Sequence, residues 1–138
     1  MANPTLNISA EQACFIIVKA REFDVQDVPA DVDSGSNAAD DRMVDVLEDH
    51  KDNPVRRELV AFINALSEDA QTDLVTMMRI GRGDGTIEEW DSIRAEAQRQ
   101  HNRRTAAYLL GEPLLADHLE ETLSQLGMSC EEFEIGRL

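Results

Sequence analysis

The chain has 138 residues, 42% hydrophobic and 30% charged, and its 28 acidic against 13 basic side chains give a formal net charge of −15. That length and apolar content suit one domain with a single core and exclude a wholly disordered chain. The negative surface disfavours the phosphates of nucleic acid and anionic lipid, and no apolar run approaches the roughly 20 residues of a membrane span.

In chain order, Ser9 and Gln12 have the spacing of a capping box, ahead of the apolar stretch ACFIIVKAREF, which predicts a central first helix ending near Phe23. Residues 24–37, DVQDVPADVDSGSN, carry Pro29 and Gly35 among aspartates and read as an exposed acidic loop. Asn37 then caps a helix with Asp40 and Asp41 in its first turn and Ala39, Met43, Val46 and Leu47 on its apolar side. Asn53 and Pro54 open another, whose stripe of Val55, Leu59, Phe62, Ile63 and Leu66 recurs at roughly the 3.6-residue helical period.

Ser67 caps the next helix, with Glu68 and Asp69 in its first turn, Ala70, Leu74, Met77 and Met78 inward, and Gly81 and Gly83 at its end. Thr86 and Glu89 form a second capping-box spacing before Ile87, Trp90, Ile93 and Ala97; that helix either runs on to Tyr108 or breaks at HNRRT. Gly111 stops the segment, and Pro113 stands in the first turn of a helix carrying Leu115, Leu119, Leu123 and Leu126. Gly127 closes it, and Ser129 with Glu132 precedes a short terminal helix. With no clear strand signal, the chain reads as all-α: a compact single domain over residues 1–138, six to seven helices joined by short turns and one acidic loop.

The segment DGTIEEWD resembles the middle of a calcium-binding loop, but positions that should supply carboxylates fall on Ile80 and Arg82, so calcium is not expected. Gly83 and Gly85 with the Thr86–Glu89 cap read instead as a tight turn between helices. Asp117, His118 and Glu121 lack the Glu-x-x-His order of a di-iron bundle, and no metal or other cofactor is expected. Cys14 and Cys130 are too few and too far apart to read as a disulfide framework: Cys14 reads as a small buried hydrophobe, and Cys130 as a thiol near a helix start surrounded by glutamates. MANPTLNISAEQ has neither the basic start nor the apolar stretch of a secretory signal, and these absences point to the cytoplasm.

The clearest local positive charge lies between Arg79 and Arg104. Arg79, Arg82, His101, Asn102, Arg103 and Arg104 are therefore a candidate anion or partner site, the test being whether they converge on one cleft. A lone His near an apolar face is more often structural, so a stabilising role for His101 stands beside the binding one.

The words LVAFINALSEDAQTDLV, GRGDGTIEEWDSI, HNRRTAAYLLGEPLLADHLEE and SCEEFE resemble a mainly proteobacterial family, domain of unknown function 3775, from about Val55 to Phe133. The resemblance implies a bacterial, cytoplasmic protein and carries over no activity, cofactor or site residue. The expected function is non-enzymatic binding to a protein partner or a second copy, the acidic faces steering it to a basic surface. The alternative is a small enzyme or binding protein that takes an anionic ligand at the Arg/His cluster.

Overall fold

The structure, a computed structural model, describes residues 4–32 and 53–131, with the backbone alone for residues 25–32. Among the described residues there are six α-helices: α1 Ala10–Val32, α2 Pro54–Ala65, α3 Glu68–Arg82, α4 Trp90–Arg99, α5 Thr105–Leu110 and α6 Leu115–Gln125. A 3₁₀ turn, Ile87–Glu89, leads into α4, and no strand occurs among the described residues.

The helices start where side chains replace missing backbone partners. Ser9 and Gln12 cap α1 reciprocally, each backbone N–H donating to the other's side chain at 3.0 Å. Asn53 Oδ1 accepts from the N–H groups of Val55 and Arg56, with Pro54 in the first turn of α2. Ser67 Oγ accepts from Ala70 N–H ahead of α3, and the Thr86–Glu89 capping box opens the 3₁₀ turn. Gly83 ends α3 in the left-handed region at φ 103°, a conformation that suits a residue without Cβ.

The hub is α3 rather than α1. Every residue from Gln71 to Met78 is buried, because α3 packs against α6 on one side and α4 on another while α1 lies on α6 and α2. Its polar residues are tolerated there because each is hydrogen-bonded. Thr72 and Thr76 donate to carbonyls one turn back, Gln71 donates to the Ile63 carbonyl, and the Asp73 carboxylate accepts from Arg94 and from Asn7 N–H. Thr122 of α6 donates to the Met77 carbonyl at 2.6 Å, tying the two most closely packed helices together.

Gly81 was expected to help end α3 but lies inside it, and its role is close approach. A Cβ at this position would collide with the backbone carbonyl of His118 on α6. Helix propensity predicts that Gly81→Ala stabilises by about 1 kcal/mol. The collision is with backbone and cannot be relieved by a rotamer change, so the expected result is a net loss of about 2 kcal/mol. A urea titration in which Gly81→Ala raised the midpoint would contradict this packing.

The structure departs from the sequence reading in three other places. Helix α1 continues to Val32, so residues 24–32 are helical where an acidic loop was expected from residue 24. Adding a residue to a nucleated helix is easy, and the helical run continues through Pro29 even though that residue removes one backbone donor and crowds the carbonyl one turn back. Residues 33–37 of that loop, the Asn37 helix and the Glu132 cap lie outside the described residues. Of the two alternatives for the segment after Trp90, the structure takes the break at HNRRT, whereas α6 begins at Leu115, two residues beyond the Pro113 expected in its first turn.

The third departure is covalent. Cys14 and Cys130 are joined in a disulfide, their Cα atoms 5.5 Å apart across a sequence separation of 116. Neither is a free thiol, so the expected buried Cys14 thiol and the Cys130 thiol near a helix start are both replaced by the bridge. The pairing was not legible because it depends on α6 returning the chain to α1.

Candidate functional site

A cleft of about 200 Å³ opens between the second half of α3, the end of α4 and the start of α5. Its floor is Thr72 and Val75 from α3, Ala97 from α4 and Thr105 from α5, all buried. Its rim is Arg79, Gln100, His101, Asn102, Arg104 and Tyr108.

The break at HNRRT builds the rim. Asn102 Oδ1 accepts from Arg104 N–H at 2.7 Å while its Nδ2 donates to the Gln100 carbonyl, a side-chain turn that reverses the chain between α4 and α5. Thr105 Oγ1 donates back to the Asn102 carbonyl at 2.9 Å, so the turn is closed from both sides.

His101 sits between two oxygens. Its Nε2 is 2.7 Å from Gln71 Oε1 and its Nδ1 is 3.0 Å from Glu68 Oε2. Gln71 is itself oriented, since its Nε2 donates to the Ile63 carbonyl at 2.8 Å. This places the imidazole as a strut joining the HNRRT turn to the start of α3, with both ring nitrogens committed.

Arg79 is held differently. Its Nη2 donates to Gln100 Oε1 at 2.7 Å, and its guanidinium carbon stands 6.0 Å from the centroid of the Tyr108 ring. Among the described residues neither Arg79 nor Arg104 forms a contact ion pair with a carboxylate, although Arg79 lies near enough to Asp84 to help lower its pKa. Arg21 bridges Asp117 and Glu120, Arg82 bridges Asp84 and Glu112, and Arg94 bridges Asp69 and Asp73.

Of the six residues singled out in sequence, the cleft brings together Arg79, His101, Asn102 and Arg104. Arg82 and Arg103 do not line it. Arg82 turns to acids, and its hydrogen bond with Asp84 raises the guanidinium pKa and lowers that of the carboxyl. The floor residues Thr72, Val75, Ala97 and Thr105 and the rim residues Gln100 and Tyr108 were missed. Thr72, Val75 and Arg79 share one side of α3 by their helical spacing, and extending the arginine cluster back along that face would have found the floor.

The other motifs are absorbed by structure. Ile80, at the first position of the calcium-like pattern, is buried within α3. Asp117 shares Arg21 with Glu120, and hydrogen bonding to Glu120 foremost raises the Arg21 pKa. Among the described residues no group of three or more His, Cys, Asp or Glu side chains is placed to hold a metal ion. Also among them, no helix is long and apolar enough to cross a membrane.

These features define a small all-α protein, acidic overall, with two arginines at the rim of an apolar-floored cleft. Residues 56–128 match the model of a family described as a protein of unknown function (DUF3775), and the chain belongs to that family. No curated protein and no solved structure matches it. The matched segment runs from the first turn of α2 to just beyond α6, so it contains the whole cleft and excludes α1 and both cysteines.

Proposed function

We propose that the protein is a non-enzymatic binding module that captures an anionic group in the cleft between α3, α4 and α5. The observation that carries this reading is that Arg79 and Arg104 share one cleft without a contact ion pair to a carboxylate among the described residues. In a chain of net charge −15, with acids available in excess, guanidinium groups held out of contact ion pairs around a concave apolar floor are the expected signature of a site that offers its charge to a ligand, although Asp84 lies near enough to Arg79 for its carboxyl pKa to be lowered by it. Of the remaining rim side chains, Asn102 builds the turn, His101 is bonded to Gln71 and Glu68, and Gln100 accepts from Arg79, which suits recognition better than catalysis.

Isothermal titration with a panel of carboxylates, phosphate monoesters and sulfonates tests it. At least one class is expected to bind, and Arg79→Gln with Arg104→Gln is expected to weaken binding by about 10- to 100-fold, the loss of charge-assisted hydrogen bonds. If no anion binds, or if the double variant binds as well as the parent, the reading fails.

A second reading, docking of a second copy of the chain, is favoured by Leu114. This side chain is 61% exposed and its backbone lies at φ 61°, where a residue with a Cβ is strained by about 1 kcal/mol or more. An apolar side chain held outward at such a position suits a contact with another protein. Light scattering across a concentration series is expected to show association that Leu114→Ser abolishes; a monomer mass throughout would end this reading.

A further inference from the structure

We infer that the ligand of the cleft is a small amphipathic carboxylate, its head held by Arg79 and Arg104 and its short apolar body resting on Val75 and Ala97. This rests on the anion-binding reading above and narrows it to one chemistry.

The argument comes from which donors remain. The Thr72 hydroxyl donates to the Glu68 carbonyl and the Thr105 hydroxyl to the Asn102 carbonyl. Both polar atoms of the Asn102 side chain serve the turn, and both ring nitrogens of His101 face protein oxygens. The floor and the turn thus offer a ligand almost no further hydrogen bonds. The donors that remain are the two guanidinium groups, Arg79 with one N–H already given to Gln100, together with the Gln100 amide and the Tyr108 hydroxyl; of these the guanidinium groups carry the charge and can meet a planar carboxylate with paired N–H donors.

A phosphate group needs more than this. It carries more charge, is strongly hydrated, and is ordinarily held by several converging backbone or hydroxyl donors. Resting it on buried Val75 and Ala97 would strip water from its oxygens without replacement. A carboxylate with a hydrocarbon body matches both parts: the head reaches the rim while the body covers the apolar floor. Size agrees. The cleft, at about 200 Å³, is below the roughly 300–1,000 Å³ of sites for drug-sized ligands, which leaves room for a body of a few carbons. Tyr108, 43% exposed beside Arg79, can close over such a body at the rim.

The same chemistry is presented by a free branched-chain acid and by the C-terminal residue of a peptide ending in leucine. Titration of the full-length ¹⁵N-labelled protein with 4-methylpentanoate, its neutral amide, inorganic phosphate, and a leucine-terminated peptide with free or amidated C-terminus separates them. The expected result is saturable shifts at Val75, Arg104 and Tyr108 with 4-methylpentanoate and none with its amide or with phosphate. Arg104→Gln, whose exposed side chain leaves the backbone turn intact, is expected to weaken this binding at least about tenfold. Tighter binding of the free-ended peptide than of the acid identifies a chain end as the source, and binding of the acid alone identifies a small molecule.

Phosphate shifting the same residues as strongly as the carboxylate would overturn the carboxylate inference while leaving the anion reading in place. Equal binding of the neutral amide would overturn both, and no shift with any probe would overturn the carboxylate inference.

Discussion

Arg94→Met is expected to destabilise the protein by about 3–5 kcal/mol, the loss that follows when one partner of a buried ion pair is removed. Asp73 has no exposed side-chain surface and its Oδ1 lies 2.6 Å from Arg94 Nε, while Arg94 keeps 20% of its side chain in contact with solvent. The second Asp73 oxygen accepts from Asn7 N–H, and Arg94 Nη2 reaches Asp69 at 3.2 Å. One guanidinium therefore joins the start of α3 to α4, and its hydrogen bond to Asp73 is the chief reason its pKa lies above the ordinary arginine value. Methionine preserves much of the volume, so the measured loss reports the uncompensated carboxylate rather than a cavity. Adding Asp73→Leu to Arg94→Met removes the orphaned charge and is expected to recover part of the stability, short of full recovery because Asn7 N–H then loses its acceptor. A urea titration placing Arg94→Met within about 1 kcal/mol of the parent, the range of exposed ion pairs, would show that this pair is not enclosed.

The contrast between what the sequence revealed and what it concealed follows from the range of the interactions. The caps on α1, α2, α3 and the 3₁₀ turn were legible because donor and acceptor lie two or three residues apart. The leucines of α6 were legible too, since period alone puts Leu115, Leu119 and Leu123 on one buried face. Asp73 was not, because it stands beside the stripe of Leu74 and Met77 and its partner is 21 residues away. Gly81 reads as a terminator because local rules give glycine that role; its need is set by the His118 carbonyl of another helix. The cleft is intermediate. Charge density between Arg79 and Arg104 was visible in the sequence, but which arginines point together and which turn to acids depends on where α4 stops.

Loss of the Cys14–Cys130 bridge is expected to be the largest single effect, about 4–5 kcal/mol, because the chain-entropy cost it removes from the unfolded state grows with loop length and reaches about 4.7 kcal/mol near 100 residues. The two cysteines are 116 residues apart and flank the 56–128 segment that matches the family. That segment does not enclose its own core. Helix α1, which supplies Ile16 and Ile17 at zero exposure, packs on α6 and α2, so the bridge fixes the element that covers the family segment to the chain's return from α6. Reduction leaves those contacts in place and frees the unfolded chain, so the effect should appear as a lower urea midpoint with a steeper dependence on denaturant, since the unlinked chain exposes more surface. Cys14→Ala with Cys130→Ala should match the reduced protein to within the loss from two small buried side chains. Equal midpoints for oxidised and reduced protein, together with two reactive thiols in denaturant without reductant, would show the bridge absent in solution and leave α1 held by packing alone.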